Sequence, residues 1–400
     1  MALSRRTFFT ASLGALGAAH YARTAAALVN QQAASAGFDP WLEIDAEALR
    51  WNASAVARLA GGRPILAVLK NNAYGLGLAE VGPVLEAHPA VYGMAVVRAA
   101  EAMALRAAGV RKPVLLMGRC SEEEALELAR AEVRLAAFGD DAGSRLSRVA
   151  GRLGRPLGVH LYLDTGMGRM GTSHRVASEW IAALAAGRDL RIEGVFTELT
   201  EDPDFDREQV TRLERLAAGA KARGVTLGPL HAASSAAVTH QPETHLDMVR
   251  PGLALYGGYV SPDAPLRAEL RPAYRLRAPV IRVDQLQPGD GVSYHRRWKA
   301  TRPTWIAVLP VGHVDGYPSG AVKGAQVLIG RRLYGVIGSV SASHTIIEVG
   351  DDPTVQVGDV ATLVGGEDPA IHPNEVARRA GYSEYDMFMH LNPLLRRQVV

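Results

Sequence analysis

From Trp41 to about Leu270, short apolar runs alternate strictly with Ala-, Leu-, Glu- and Arg-rich segments, and this alternation limits the fold more than any other feature. The runs Ile65–Leu69, Tyr92–Val97, Val114–Met117, Val159–Leu163 and Ile192–Phe196 read as strands. Between them, stretches such as Ala100–Ala108, Glu122–Ala131 and Asp206–Arg223 carry apolar residues at i, i+3 and i+4, the spacing of a helix with one buried face. Strands joined through helices cannot be hairpins, so they run parallel. A count near eight units predicts a TIM-like (β/α)8 barrel over 41–270 rather than an open doubly wound sheet. After about Arg271 the texture changes. Val280–Val283, Thr304–Leu309, Gln326–Ile329, Tyr334–Ile337 and Thr345–Val349 are short strands punctuated by Pro-Gly, Gly-Asp and Gly-Arg turns, which predict a mainly-β domain over 271–400.

Composition removes several classes of function. With 48% hydrophobic and 21% charged residues the chain is globular rather than disordered. Lys and Arg total 44 against 41 Asp and Glu, scattered rather than clustered, and no nucleic-acid motif accompanies them. The single cysteine, Cys120, excludes an internal disulfide framework and any cysteine-based zinc site, and no other metal-ligand cluster is visible. No long uncharged apolar run lies beyond the N-terminus, so a polytopic membrane protein is excluded. Residues 1–27 have the layout of a secretory signal: Arg5-Arg6, a mildly apolar stretch from Phe8 to Ala19, and Ala25-Ala26-Ala27. The Ser4–Phe9 run has the form of a twin-arginine signal, which predicts export of a folded protein to the periplasm, with 28–40 as a tether.

Four segments carry chemistry, each placed to end a strand or open a helix. In Ala67–Gly77 a lysine, Lys70, ends an apolar strand, where barrel enzymes place reactive groups, and Tyr74 follows on a glycine-bearing turn. A partly desolvated lysine loses its proton readily and can form an imine. His160–Gly171 ends another strand in a glycine-rich turn bearing Arg169. In His231–Ala237 small hydroxyl residues, Ser235 among them, open a helix, a common anion site. In Met248–Gly257, Gly252 lets the backbone approach a phosphate closely beside Arg250. Each is weak alone; four in this order on successive loops are specific.

With these motifs, and with Gly291–Tyr294, Val311–Pro318 and Tyr382–Asp386, the chain resembles the alanine racemase family of fold III pyridoxal phosphate enzymes from about Trp41 to its C-terminus. The resemblance implies pyridoxal 5′-phosphate as cofactor, held covalently on Lys70, which also serves as one base. Tyr294 is implied as the second base, acting in the barrel of a second copy, so the expected assembly is a homodimer with composite sites. Arg250 would face the pyridine nitrogen, oriented by His231, and Arg169 would lie near the phenolic oxygen and the substrate. Tyr74, Ser235, Gly252, Leu253 and Tyr385 would hold the phosphate. An arginine at the ring nitrogen keeps its own proton, which separates racemases from related decarboxylases that place a carboxylate there.

Three positions depart from that pattern. Tyr162 stands where many relatives have a lysine that positions the arginine, so Arg169 needs another holder: the Tyr162 hydroxyl or an anion. Glu198 replaces the ring-packing histidine and could pair with Arg169 or Arg250. Ala342 and Ser343 replace a Met-Asp pair beside the substrate, which predicts a pocket open to side chains larger than a methyl and a racemase broader than alanine. His313, in place of a tyrosine, reads either as corridor lining or as a surface-loop residue. Two other readings stand beside the racemase: another fold III reaction (decarboxylase, aldolase or epimerase of a non-standard amino acid), and a non-catalytic cofactor-binding protein. Arg250 and the Lys70/Tyr294 pair count against the first, and retention of Tyr294 together with a β-domain counts against the second.

Overall fold

The computed structural model describes residues 37–259, 269–351 and 353–400. The signal expected over 1–27, and the tether as far as residue 36, lie outside the described residues.

A first strand, β1 (Trp41–Ile44), leads into helix α1 (Ala46–Leu59), whose start is capped by Asp45 accepting from the Ala48 backbone N–H at 2.8 Å. The alternation then unfolds as β2 (Ile65–Val68), α2 (Leu78–Glu86), β3 (Val91–Val96), α3 (Ala99–Ala107), β4 (Val114–Leu116), α4 (Glu122–Arg130), β5 (Val133–Ala137), α5 (Ala142–Leu153) and β6 (Leu157–Asp164). It continues through the two-residue β7 (Thr172–Ser173), α6 (Ala177–Ala186), β8 (Leu190–Phe196), α7 (Pro203–Ala222), β9 (Leu230–His231) and α8 (Ser235–His240). Local signals set the helix starts. Ser121 and Glu124 form a reciprocal capping box on α4, and Asp202 followed by Pro203 opens α7.

The strands pair in parallel in the order β2-β3-β4-β5-β6-β8-β9, with β7 beside the end of β6. The ring is closed by Met248–Val249, which bridge His231 of β9 on one side and Ile65 of β2 on the other. Leu66 and Val68 donate to the Val249 and Pro251 carbonyls at 2.9 Å, so this short stretch acts as the eighth stave. All four residues of β2 are buried because helices cover one face and barrel packing the other. Each such aliphatic side chain contributes about 1.5–3 kcal/mol relative to exposure.

The second region is a nine-stranded sheet built from β10 (Tyr274–Pro279), β11 (Arg282–Leu286), β14 (Thr304–Leu309), β15 (Gln326–Ile329), β16 (Arg332–Ile337), β17 (Thr345–Gly350), β18 (Val360–Val364), β19 (Arg396–Val399) and β1. A separate two-stranded ribbon, β12 (Gly291–Val292) with β13 (Trp298–Lys299), projects from it, and α9 (Pro373–Ala380) packs nearby. The fold is thus a TIM-like barrel followed by a mainly-β domain.

Two expectations are corrected. Trp41–Ile44, placed with the barrel from sequence, pairs antiparallel with β10 and parallel with β19. Leu42 and Ile44 are fully buried there, while Glu43 and Asp45 pair with Arg277 and Arg275 at 2.8 and 3.1 Å. The run Val280–Val283 is not one strand, because the chain changes partner inside it: Val280 donates to Asp359, and Ile281 to Val308.

Candidate active site

Lys70 follows the end of β2, and the chain then does something rare for non-glycine residues. Asn71, Asn72, Ala73 and Tyr74 all take left-handed conformations, with φ between 53° and 56°. Outside glycine this costs about 1–2 kcal/mol per residue, somewhat less for asparagine. The turn is held by its own hydrogen bonds, Ala73 to Leu69 at 3.0 Å, Gly75 to Asn71 at 2.9 Å and Gly77 to Asn72 at 2.9 Å. It is also held by Glu101, a buried carboxylate on α3. One oxygen of Glu101 accepts from the Asn72 N–H at 3.2 Å; the other accepts from Val97 and Arg98, each at 3.1 Å. The result points Lys70 and Tyr74 into one cavity, with the Lys70 Nζ 5.8 Å from the Tyr74 ring centre.

That cavity, about 730 Å³, lies at the C-terminal ends of the barrel strands. Besides Lys70 and Tyr74 it takes in Arg169, Ser235, Arg250, Gly252 and Tyr385, so five separate chain segments converge on it. Arg250 comes from the eighth stave and is almost fully buried. Its Nη1 donates to the His231 carbonyl at 2.8 Å and lies 3.3 Å from His231 Nδ1; its Nη2 donates to the Thr197 carbonyl at 2.9 Å and to Glu198 at 3.1 Å. His231 in turn meets His160, Nε2 to Nδ1, at 3.0 Å. Burial keeps both imidazoles neutral: the His160 pKa falls to about 4, and that of His231 is lowered by burial and further by the Arg250 guanidinium. Gly194 makes room for His160, since a Cβ there would sit 2.5 Å from its Nδ1.

At the anion end, Ser235 is the first residue of α8, and its Oγ accepts from the backbone N–H groups of Gly252 and Ala254 at 2.9 and 3.1 Å. Gly252 cannot be larger. A Cβ would lie 2.2 Å from the Tyr74 hydroxyl. Leu253 is buried behind this turn rather than lining the cavity, and His231 acts through Arg250 without reaching the cavity itself. Burial raises the Tyr74 hydroxyl pKa and pushes that of Tyr385 up to about 12, so both remain hydrogen-bond donors. A reactive amine, neutral hydroxyls and a glycine turn at a short helix start fit a phosphorylated pyridoxal.

Arg169 and Tyr162, one of the two holders that the sequence left open for it, line the cavity together, and the guanidinium works against the rise that burial gives the Tyr162 pKa. The Tyr162 ring is itself fixed by stacking on Phe196, with centroids 4.3 Å apart. Of the two partners open to Glu198, the structure selects Arg250. Lys70 has its pKa lowered, chiefly by burial; Glu198 opposes this, while Arg169 and Arg250 add to it.

Tyr294, Ala342, Ser343 and His313 do not line the cavity of their own chain. Tyr294 is 69% exposed on a turn in which Ser293, His295 and Arg296 all have positive φ. The loops around it cluster. Ser293 Oγ donates to the Ser339 carbonyl at 3.2 Å, the His313 N–H to Ser341 at 3.0 Å and the Val314 N–H to Ala342 at 3.1 Å. These residues form one exposed face of the β-domain. Glu101 was not singled out from sequence as part of the site, His160 was given no role of its own within its segment, and Met248–Val249 were not read as a strand; the paired asparagines at 71 and 72 were the one available sign of a left-handed turn. Among the described residues no group of three or more His, Cys, Asp or Glu side chains could hold a metal ion, and no helix is long and apolar enough to cross a membrane.

The sequence matches the alanine racemase N-terminal domain over residues 44–260 and the alanine racemase C-terminal domain over 273–399. It is 33% identical over 353 residues to the alanine racemase of Desulfovibrio desulfuricans, covering 87% of this chain and 94% of that one. It is 36% identical over 355 residues to the alanine racemase of Symbiobacterium thermophilum, with 87% and 93% covered. The structure is similar to the crystal structure of alanine racemase from Streptomyces lavendulae, with a TM-score of 0.85 at 28% identity over 92% of this chain and 98% of that one.

Proposed function

The chain belongs to the alanine racemase family of pyridoxal 5′-phosphate-dependent racemases, and from that premise we propose that it interconverts L- and D-amino acids with two bases, Lys70 and Tyr294, and acts on side chains larger than that of alanine. The observation that carries the reading is the convergence of Lys70, Arg250, Arg169 and the Tyr74–Ser235–Gly252–Tyr385 cradle on one cavity, with Tyr294 exposed outside it.

When bound, the cofactor supplies an electron sink that makes the amino acid's α-proton removable. The chain's own groups do the rest. Lys70 holds or takes a proton at its Nζ on one side of the substrate carbon, and its lowered pKa brings it towards the working range of a base. Inversion needs a second proton carrier on the opposite face, and the reading gives that role to Tyr294. Tyr74 and Tyr385 are raised by burial, which unfits them as bases near neutrality. Arg250 cannot release its proton, so it binds and orients without acting as an acid. Arg169, which lines the cavity with Tyr162, is placed to receive the substrate's carboxylate.

Tyr294 lies on a strained, exposed turn, and strain of this kind persists where a residue is being presented. A head-to-tail pair of copies, each lending Tyr294 to the other's cavity, gives it a place to act. Breadth of substrate follows from Ala342 and Ser343, small residues on the same exposed face as Tyr294. The N-terminal Ser4–Phe9 run supports action in the periplasm after folded export. Chiral chromatography of a panel of L-amino acids, with Lys70→Ala as control, tests the reading. D-enantiomers of Lys, Arg, Met or Ser at rates within tenfold of alanine are expected. Alanine favoured a hundredfold or more would refute the broad pocket, and no enantiomer from any substrate would refute the racemase.

A further inference from the structure

The deepest charge in the cavity wall is Arg250, and its hydrogen bonds are nearly all to neutral groups. The His231 carbonyl and ring, at 2.8 and 3.3 Å, and the Thr197 carbonyl, at 2.9 Å, carry no charge; Glu198, at 3.1 Å, does. Arg250 lies 5.2 Å over the Phe196 ring, which orients a guanidinium without neutralising it. Glu198 lines the same cavity as Lys70 and Arg169. One carboxylate therefore does two things: it pins the buried guanidinium and puts negative charge on the wall that Lys70 faces.

We propose that Glu198 is a positioning residue that balances Arg250 and thereby keeps the Lys70 nitrogen able to hold a proton, so that Lys70 can return a proton as well as take one. The proposal rests on the reading of Lys70 as cofactor anchor and base. A racemase runs its two bases in both directions, so each must be able to bind a proton within the working pH range. The groups facing Lys70 come from every side of the cavity: Tyr74 on its own turn, Arg119 after β4, Tyr162 and Arg169 at β6 and its loop, Glu198 and Glu201 after β8, Arg250 on the closing stave and Tyr385 near the C-terminus. Arg119 is engaged by Asp141 at 2.5 Å. Burial, Arg169 and Arg250 all disfavour a protonated Lys70, and only Glu198 and Glu201 oppose them, Glu198 the more strongly. Glu201 is partly buried with a raised pKa, caused by burial and by neighbouring Asp206, Glu198 and Glu384, so it gives up its charge more readily and is the weaker counterweight.

The test uses cofactor-loaded protein without amino acid. The visible absorbance of the cofactor attached to Lys70 is titrated against pH in wild type, Glu198→Gln and Glu198→Asp, and borohydride trapping with peptide mapping locates the attachment. Glutamine keeps an acceptor for Arg250 but removes the charge; aspartate keeps the charge. The midpoint is expected to fall by about one pH unit in Glu198→Gln, because removing an opposite charge from the wall of the same cavity is worth about that, and to stay near wild type in Glu198→Asp. A label on Lys70 with the same midpoint in Glu198→Gln and wild type overturns this proposal alone, as does an equal shift in both variants. No label on Lys70 overturns this proposal together with the reading of the site.

Discussion

Replacing Glu101 with glutamine puts the strained turn after Lys70 to the test. The Glu101 site is built entirely of donors: Asn72 N–H at one oxygen, and Val97 and Arg98 N–H at the other. An amide can serve only one of these sides, since its NH2 group would confront a backbone N–H on the other. If the oxygen stays with Val97 and Arg98, the Asn72 N–H loses its partner, at a cost of about 2 kcal/mol. On the other side of the balance stands the left-handed turn, in which Ala73 and Tyr74 alone carry about 2–4 kcal/mol of backbone strain. The two are of the same size, so the variant should spend much of its time with the turn relaxed and the Lys70–Tyr74 pair out of register. Where only a fraction of the protein is competent, apparent affinity falls by that fraction, and 2 kcal/mol corresponds to about thirtyfold. We expect Glu101→Gln to bind pyridoxal phosphate roughly ten- to thirtyfold more weakly in an absorbance titration of cofactor-free protein, with the far-ultraviolet circular dichroism of wild type. A dissociation constant within twofold of wild type would show that the turn stands without Glu101.

Gly252→Ala should weaken cofactor binding at least tenfold in an absorbance titration, because the new methyl would sit 2.2 Å from the Tyr74 hydroxyl and 2.8 Å from the ring carbon that bears it; binding within twofold of wild type would show that the turn and Tyr74 yield to a methyl. His160 is buried neutral, with a pKa near 4 against about 6.5 unfolded, so the unfolded chain binds the extra proton as pH falls. Its contribution is complete above about pH 6.5 and is lost progressively towards pH 4, roughly 3 kcal/mol in all; urea unfolding at pH 7.5 and pH 4.5 should show it, and His160→Asn should reduce the difference, leaving the part that the equally buried His231 contributes. Mixing inactive Lys70→Ala with inactive Tyr294→Phe, after reversible dissociation, should restore about a quarter of wild-type racemase activity. Half the dimers are then mixed and each has one intact composite site. No recovery would refute Tyr294 acting across two copies.

Much of the site was readable because its parts are contiguous words, each at a strand end. Lys70, Arg169, Ser235 and Arg250 each sit in a short run whose residue types already limit their chemistry, and alternation along the chain says that such strand ends meet at one rim. What periodicity cannot give is the partner of a short segment. Trp41–Ile44 has the two-residue rhythm of a strand, yet nothing in four residues says that it pairs with Tyr274–Pro279 and Arg396–Val399 rather than with the barrel. Met248 and Val249 are too few to register as a strand at all, although they close the ring and place Arg250.

Glu101 shows the same limit at the level of one side chain. On α3 it reads as one more charge on an amphipathic helix, and its three acceptor bonds to backbone depend on a left-handed turn that no hydrophobic pattern encodes. The departures at Tyr162 and Glu198 were visible as letters, but what they do is set by neighbours distant in sequence. Tyr162 shares the cavity wall with Arg169, its ring fixed by Phe196 from the adjacent strand; Glu198 can balance Arg250 because the eighth stave brings the guanidinium beside the end of β8. A sequence therefore states which chemical groups a site owns, while the closure of the barrel decides which of them share their charges. Specificity and proton balance belong to the second kind of information, which is why Glu198→Gln is expected to alter the titration of Lys70 while leaving every catalytic group in place.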